Sequence, residues 1–212
     1  MAKIIVLIGA PGAGKGTQAR LLEERRGIPQ ISTGDMFREM KNDDTQLAKE
    51  VQAIMSSGNL ISDELTFQIV KNRTSREKEN YILDGFPRTA VQAEMLETLA
   101  EEQGREIRAI EVDLPKDELM KRLTGRRSCP VCGEIYNIYS KPPRQENVCD
   151  LHPAAQLTHR ADDNEESVST RLATYEEKTK PLIDYYEKTG RLEKVNGAGE
   201  LEEIYREIDK LI

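Results

Sequence analysis

The sequence predicts an α/β protein built on an open parallel sheet with helices on both faces. Three observations lead to this prediction. Lys3–Ile8 is a continuous apolar run of the kind that is buried in a parallel sheet. A glycine-rich turn follows it directly, and then a helical pattern runs through Gln18, Leu21 and Leu22. Strand-like and helical segments alternate along the rest of the chain, and this alternation is typical of parallel sheets with helical crossovers.

The strand candidates give a five-stranded sheet. They are Lys3–Ile8, Gln30–Ser32, Tyr81–Asp84, Ile107–Leu114 and Leu192–Val195. Two segments interrupt the alternation and are predicted to be insertions in one core: a helical excursion from about Gly34 to Ile61, and a turn-rich segment between Arg126 and Asp163. After the second insertion, Val168, Leu172 and Tyr175 recur at helical spacing and predict a helix packed on the core.

Composition limits the classes of partner. The chain has 212 residues and a net charge of −7, with a pI near 5.1 and a mean hydropathy of −0.63. This acidity argues against general nucleic-acid binding, and no apolar run approaches the roughly 20 residues that span a bilayer. The first apolar run is too short for a signal-peptide core. We therefore expect a cytoplasmic protein without nucleic-acid or membrane partners, whose thiols stay reduced.

A phosphate-binding motif connects the first strand to the first helix. Gly9–Thr17 reads GAPGAGKGT, which is G-x-x-x-x-G-K between a strand and a helix. Glycines let several backbone N–H groups face an anion at a helix N-terminus, and Lys15 adds a positive charge. An ordinary glycine-rich turn would not require this lysine, and the spacing of a dinucleotide site is absent. Gly16 stands where serine or threonine is usual, so direct Mg²⁺ ligation by the Thr17 hydroxyl is not expected.

The three cysteines of the chain lie in the second insertion. Cys129-x2-Cys132 and Cys149-x2-His152 have the spacing of two zinc knuckles, and Gly133 after the first pair suits a turn with positive φ. Four protein ligands make a closed, structural site, and an odd cysteine count favours a metal over disulfides. The alternative is three incidental thiols. A segment of fewer than about 40 residues needs such a staple to stay folded by itself.

Three further stretches narrow the class. They are QISTGDMFR at 30–38, LDGFPR at 83–88 and TGRR at 124–127. With GAPGAGKGTQ they resemble the adenylate kinase family, in the family's order and spacing from the first strand to the last helix. The resemblance implies the P-loop nucleoside monophosphate kinase fold. It also implies reversible, Mg²⁺-dependent transfer of a phosphoryl group from ATP to AMP, giving two ADP, by a monomeric enzyme.

The resemblance divides the chain into three parts. Residues 1–31, 62–124 and 164–212 match the core, and 32–61 match the AMP-binding insertion. Residues 125–163 match a mobile lid that closes over ATP, here of the zinc-binding type, with histidine at a position where cysteine or aspartate is frequent.

The resemblance also assigns residues to roles. The ATP-binding positions are Gly12, Ala13, Gly14, Lys15, Gly16, Thr17, Arg122, Arg126, Ile135, Tyr136 and Gly199. The AMP-binding positions are Thr33, Arg38, Asn59, Leu60, Ile61, Gly85, Arg88, Gln92, Arg160 and Arg171. The catalytic positions are Lys15, Asp84, Arg88, Arg126, Arg160 and Arg171. Arginine forks suit this chemistry, because phosphoryl transfer spreads negative charge over several oxygens.

Some of these residues have structural alternatives. Gln92 follows Thr89 at the spacing of a capping box, and Asp84 could be a turn residue at a strand end. Arg122 and Arg126 are four residues apart and could form one solvated helix face. Asp162 and Asp163 could cap the following helix or hold the lid against Arg126.

Two rival functions also stay open. One is a kinase of another nucleoside monophosphate on the same fold. The other is a zinc-knuckle interaction module with a regulatory P-loop ATPase attached.

Overall fold

The computed structural model describes residues 2–212, with only the backbone of Lys41. Seven strands are present in this range: β1 Lys3–Ile8, β2 Gln30–Ser32, β3 Tyr81–Asp84, β4 Glu106–Asp113, β5 Arg126–Ser128, β6 Ile135–Asn137 and β7 Leu192–Asn196. Five of them form one parallel sheet in the order β2-β3-β1-β4-β7. The predicted five-stranded parallel sheet is confirmed, and each strand lies within two residues of its predicted bounds.

Nine helices surround the sheet in the described range. They are α1 Lys15–Arg26, α2 Thr33–Glu39, α3 Gln46–Ser56, α4 Asp63–Thr74, α5 Ala90–Gln103, α6 Lys116–Thr124, α7 Glu165–Thr174, α8 Pro181–Lys188 and α9 Leu201–Leu211. A π-helical turn over Tyr175–Thr179 joins α7 to α8. Side chains of Ser32, Thr45 and Thr89 accept hydrogen bonds from the first turns of α2, α3 and α5, so polar residues set these helix starts. Within residues 2–212, no helix combines the length and the apolar character that crossing a membrane requires.

The core lies on both faces of the sheet. Along β1, Ile4, Val6 and Ile8 pack into one buried cluster with Leu96 and Tyr186. The alternate residues of β1 pack on the other face, in a cluster with residues of α1 and α9. Because both faces of β1 are covered by helices, both sets of side chains are apolar, which explains why the strand reads as a continuous apolar run.

Two smaller clusters lie away from the sheet. Phe37, Val51 and Ile61 are buried together beside α2, α3 and α4. The cysteine-rich segment contains the antiparallel pair β5–β6, whose strands the sequence did not predict, and a small cluster of Cys129, Tyr136, Cys149 and Ala155. The predicted helix after this segment is α7, and its Leu172, with Tyr175 just beyond, packs on the core as expected.

The parallel sheet directs its strand ends to one edge. β1 ends at Ile8 before Gly9, and β3 ends at Asp84 before Gly85. A Cβ on Gly9 would lie 2.4 Å from the carbonyl oxygen of Val112, so only glycine allows β1 to leave the sheet beside β4 here. The carboxyl ends of β1 and β3 therefore meet at this edge, where open α/β sheets bind ligands.

Candidate functional site

The phosphate-binding motif forms a tight loop between β1 and α1. Gly12 and Gly14 have φ values of 88° and 101°, which favour glycine, and Gly14 is the residue before α1. The Ala13 N–H donates to the Ala10 carbonyl at 3.1 Å and closes the turn. The Lys15 ammonium folds back over the loop and donates to the carbonyls of Gly9 at 2.7 Å and Ala10 at 3.0 Å. The loop thus holds the Lys15 ammonium against its own backbone carbonyls.

Lys15 lies among other charged side chains. Burial lowers its pKa to about 8. The Asp84 carboxylate acts in the opposite direction, while Arg88, Arg171 and Arg126 add repulsion that lowers the pKa further. Five of the six residues predicted to be catalytic are therefore near enough to one another to interact electrostatically.

Asp84 stands at the end of β3 and faces α1. A Cβ on Gly16 would lie 3.1 Å from Asp84 Oδ2, so a side chain at position 16 would crowd this carboxylate. The contact gives a physical reason for glycine at the position where serine or threonine is usual. Gln30 Nε2 donates to the same oxygen at 3.3 Å, so the carboxylate keeps a fixed orientation beside the loop.

Arg88 is held by its main chain and its side chain. Its Nε donates to the Gly85 carbonyl at 2.8 Å, and Thr33 Oγ1 donates to the same oxygen at 2.9 Å. The Arg88 carbonyl accepts a hydrogen bond of 2.9 Å from Thr179 Oγ1, which the π-helical turn brings there. Burial lowers the pKa of Arg88, and repulsion from Arg171 adds to the effect. The guanidinium is therefore fixed and poorly solvated, as a site for a buried anion requires.

Arg126 and Arg171 share one buried carboxylate. Arg126 Nε and Nη2 donate to Asp163 at 2.8 and 2.6 Å, and Arg171 Nη1 donates to Asp163 Oδ1 at 3.0 Å. Arg171 also contacts Asp162 at 2.9 Å. A shared helix face for Arg122 and Arg126 is wrong, because α6 ends at Thr124 and Arg126 begins β5.

Asp162 and Asp163 do not cap the following helix. The residue before α7 is Asn164, and its side chain accepts from the Ser167 N–H at 2.9 Å. Of the two predicted alternatives for the aspartates, the ion pair with Arg126 is therefore the one that forms, and it is made by Asp163.

Two further arginines approach from the inserted segments. Arg38 in α2 pairs with Asp35, and Arg160 Nη2 lies 4.0 Å from the same carboxylate. Burial lowers the pKa of Arg160 to about 10, helped by repulsion from Arg126 and Arg38. The cleft thus gathers six basic side chains against four carboxylates in a protein whose net charge is −7. Such a local surplus of positive charge suits an anion with several charges.

Other predicted residues lie around this cluster. Arg122 Nη2 donates weakly to the Gly197 carbonyl at 3.4 Å, in the loop that contains Gly199. A Cβ on Gly197 would lie 3.3 Å from the Ala13 carbonyl, so this loop adjoins the phosphate-binding loop. Residues 59–61 form the connection from α3 to α4, which begins after the Ser62 cap. Arg122 and the loop that contains Gly197 and Gly199 therefore flank the phosphate-binding loop on the side of β7.

Gln92 is buried in the first turn of α5. Its backbone N–H donates to Thr89 Oγ1 at 3.1 Å, which is half of the predicted capping box. The reciprocal bond goes one residue further back, because Gln92 Oε1 accepts from the Arg88 N–H at 2.8 Å. The capping box thus forms only in part, and the Gln92 side chain holds the backbone of Arg88.

The four predicted metal ligands come together. One ligand atom from each of Cys129, Cys132, Cys149 and His152 lies within 4.8 Å of the others. Cys132 Sγ is 3.8 Å from Cys149 Sγ, and Cys149 Sγ is 4.0 Å from His152 Nδ1. Thiolates bound to one tetrahedral zinc at about 2.3 Å would lie about 3.8 Å apart, so this donor set fits the ion.

The surroundings of the cluster favour a metal-binding thiolate. Burial acts to raise the pKa of the Cys149 thiol. Hydrogen bonding outweighs this effect and lowers that pKa to about 6; the partners are the Tyr136 hydroxyl, the Leu151 N–H and the side chains of Cys129 and His152. Asp150 faces away, since its carboxylate accepts from the Arg144 N–H at 2.8 Å. Gly133 has a φ of 70°, as predicted for the knuckle turn.

Sequence reasoning missed several residues that shape the cleft. Asp35 lies three residues before Arg38 on α2, and this spacing could have indicated the ion pair. Asp63 contacts Gln92, which lies 29 residues away in sequence, and Thr179 contacts Arg88, which lies 91 residues away. No local pattern marks a contact of that kind, so these two residues could be found only from the structure.

Comparisons with known proteins agree on one family. The family model described as adenylate kinase matches residues 7–191. An adenylate kinase of Thermodesulfovibrio yellowstonii is 47% identical, and the match covers 96% of each chain. An adenylate kinase of Bacillus subtilis is 45% identical over 98% of this chain and 97% of its own. One from Thermotoga neapolitana is 44% identical over 100% of this chain and 98% of its own.

The burial of Lys15 leads to a prediction about its titration. We expect the Lys15 ammonium of the unliganded protein to lose its proton near pH 8, rather than near the 10.5 of an exposed lysine. NMR of lysine side chains would follow it, with Lys15→Met to assign the resonance. Added sulfate should raise the midpoint, because an anion in the loop stabilises the charged form. A midpoint near 10.5 that sulfate does not move would contradict this picture of the cleft.

Proposed function

Because the chain belongs to the adenylate kinase family and is an ATP:AMP phosphotransferase, we propose that the cationic cleft around Lys15 and Arg88 performs the transfer. The observation that carries this proposal is the convergence of Lys15, Arg88, Arg126 and Arg171 on one cleft. Four cations at such close range repel one another, and an anion bound between them would relieve that repulsion. The triphosphate of ATP and the phosphate of AMP, placed side by side, would together supply such an anion.

Each proposed role follows from the position of the residue. The phosphate-binding loop and Lys15 hold the β- and γ-phosphates of ATP. Arg88, fixed at the end of β3, binds the phosphate of AMP together with Arg38. An oxygen of that phosphate attacks the γ-phosphorus, and the bond from this phosphorus to the β-phosphate oxygen breaks, which leaves two ADP. Arg126, Arg160 and Arg171 stabilise the charge that spreads over the transferring group.

Thr33 and the backbone of 59–61 would line the AMP side of the cleft, and Arg122 with the loop of Gly199 would hold the base of ATP. Arg122 lies beside this loop through its contact with Gly197. The arginine plane and the loop backbone offer stacking and hydrogen bonding, which an adenine ring can use.

Mg²⁺ is the expected companion of ATP, and Asp84 is the residue that fits it. The carboxylate stands beside the loop with its orientation fixed by Gln30. Mg²⁺ in phosphate sites usually keeps several waters and takes one or two carboxylates, so one aspartate is enough. When bound, the ion neutralises phosphate charge. Asp84 would orient its water shell while Lys15 and the arginines hold the phosphates.

We further propose that residues 125–163 act as a lid. In this structure Arg20 of α1 donates to the Gly133 carbonyl of the segment and lies 3.2 Å from Glu134. Nearer the ends of the segment, Asn137 Nδ2 donates to the Arg122 carbonyl at 3.0 Å, and Arg171 of α7 pairs with Asp162 and Asp163. Arg160 reaches Asp35 on the opposite insertion at 4.0 Å. The buried apolar residues of the segment form a cluster of their own, separate from the two clusters of the core, as suits a segment that opens and closes over the cleft. Closure would exclude water that could otherwise take the phosphoryl group.

Zinc would hold the lid together through Cys129, Cys132, Cys149 and His152. The cluster around these residues has few apolar members besides the ligands themselves. A structural zinc can contribute on the order of 10 kcal/mol to a small module. The ion would therefore keep the lid folded when it is away from the core.

The rival interaction module has less support. It needs basic or aromatic side chains exposed around the cysteines. Tyr136 is buried against Cys149, and Lys141 pairs with Glu134. Exposed Tyr139 is the aromatic side chain that such a module could use. A cytoplasmic location, a monomeric state and the absence of nucleic-acid and membrane partners stay predictions from the sequence.

The direct test of the proposed reaction is an assay of ADP formation with purified protein, with and without AMP. We expect ADP only when ATP, AMP and Mg²⁺ are all present. Replacing AMP by GMP, CMP or UMP separates the rival monophosphate kinases, and AMP should be the preferred acceptor. ATP turnover that does not require a monophosphate would support the regulatory ATPase instead.

The role of Arg88 leads to a second prediction. Arg88→Ala should lower kcat/KM for AMP by about two to three orders of magnitude, because a fixed donor to the transferring phosphates is lost. Arg26→Ala serves as a control, since Arg26 is exposed and pairs with Asp209 away from the cleft. Steady-state kinetics and circular dichroism would show whether activity falls while the fold persists. Near-wild-type kcat/KM in the Arg88 variant would overturn its assignment.

The metal site leads to a third prediction, on the two histidines. His152→Ala should weaken zinc retention. If the free energy of unfolding falls by about 2 kcal/mol as a result, Tm should fall by about 4–8 °C. His159→Ala is the matched control, because His159 is exposed and is not among the four clustered ligands. Metal analysis after purification without chelators and thermal melts would measure both. The reverse order of effects would exclude His152 as the fourth ligand.

A further inference from the structure

The side-chain amide of Gln92 is held at both of its ends. Gln92 Nε2 donates to Asp63 Oδ1 at 2.8 Å, and Gln92 Oε1 accepts from the Arg88 N–H at 2.8 Å. Thr89 Oγ1 donates to the same aspartate oxygen at 3.0 Å while accepting from the Gln92 N–H. Asp63 is the first residue of α4, and Gln92 is only 2% exposed. The amide is therefore packed in a small polar network between α4 and α5.

These two bonds determine which way the amide points. An ionised carboxylate can only accept hydrogen bonds, and a backbone N–H can only donate. Reversing the amide would place Oε1 against the Asp63 oxygen and Nε2 against the Arg88 N–H. Both bonds would then be replaced by repulsive contacts between buried polar groups. The order of donor and acceptor on the amide is thus fixed by its neighbours.

We propose that Asp63 is a specificity-determining residue that locks Gln92 in the orientation that reads a 6-aminopurine. The proposal rests on the proposed role of Gln92 in binding the base of AMP. Each end of the amide keeps one free position, a second N–H on Nε2 and a second lone pair on Oε1. Adenine offers an acceptor at N1 and a donor at its 6-amino group, and these match the free positions.

A 6-oxopurine presents the opposite pattern. Its N1 carries a hydrogen and its 6-oxygen accepts, so it would need the reversed amide. A glutamine that is free to turn could serve both bases at little cost. A glutamine held by Asp63 serves only one, because the wrong base would leave buried donors and acceptors unpaired. Asp63 would therefore act on the base through Gln92, and it is a positioning residue.

Asp63 could also have a purely structural value. It is an acidic residue in the first turn of α4, where a negative charge interacts favourably with the helix dipole. Glu64 is the next residue in the same turn, carries the same charge and is exposed. Glu64→Gln therefore removes an equal charge from the same helix end without touching Gln92. It is the matched control for the effect of charge alone.

The experiment compares AMP with IMP, which differs at the 6-position and at N1. The kcat/KM for each acceptor would be measured with ATP for the wild type, Asp63→Asn, Asp63→Ala and Glu64→Gln. Asparagine keeps the volume of aspartate but can face the amide with a donor or an acceptor. We expect the AMP-to-IMP ratio to fall by about tenfold or more in both Asp63 variants. It should stay within twofold of wild type in Glu64→Gln, as should the KM for ATP in all variants.

A structural role alone would lower kcat/KM for AMP and IMP equally and would leave their ratio unchanged, and that result would overturn the proposal. Gln92→Ala shows whether the base is read by this amide at all. A lowered ratio in Gln92→Ala with unchanged ratios in the Asp63 variants would overturn the lock but keep Gln92 in its role. An unchanged ratio in Gln92→Ala would overturn the base-reading role itself, and with it the lock.

Discussion

Mutual repulsion among half-buried cations is the constraint on which the rest of the site depends. Arg88, Arg160 and Arg171 have lowered pKa values, each through burial and then through the charges of neighbouring arginines. The unliganded protein offsets this repulsion with carboxylates. The single carboxylate of Asp163, for example, accepts hydrogen bonds from the guanidinium groups of both Arg126 and Arg171. A phosphate group is also negatively charged and could replace these carboxylates as the partner of the arginines. The folded cleft therefore holds unfavourable charge, and the proposed binding of a nucleotide there would relieve it.

The sheet makes this crowding possible. Gly9 follows the end of β1, and Asp84 is the last residue of the adjacent parallel strand β3, so the loop with Lys15 and the segment with Arg88 must meet at one edge. Apolar packing on both faces of β1 fixes these strands. Arg126 and Arg160 come instead from the cysteine-rich segment, which lies outside that packing. Lys15 and Arg88 are thus held in the cleft by the core itself. Arg126 and Arg160 would join them when the proposed lid closes.

The sequence could predict the features that are encoded locally. The apolar run of β1, the glycine loop with Lys15 and the cysteine spacing each carry their signal within a few residues, and the structure contains the sheet, the loop and the ligand cluster. The pair β5–β6 was missed because β5, Arg126–Ser128, contains no apolar residue that could indicate a strand. Contacts such as that between Thr179 and Arg88 join distant parts of the chain, and only the folded topology determines them.

Arg88 also shows why reading of the base and binding of the phosphate need not be separate functions. Its N–H is held by Gln92 and its carbonyl by Thr179, so its backbone is fixed from α5 and from the π-helical turn. If Gln92 binds the base of AMP, the amide that recognises the base is the same group that positions the arginine for the phosphate. A base that disturbs the amide would also loosen the Arg88 backbone. Discrimination between bases would then be expressed in kcat as well as in KM, because a misplaced arginine stabilises the transferring phosphate less well.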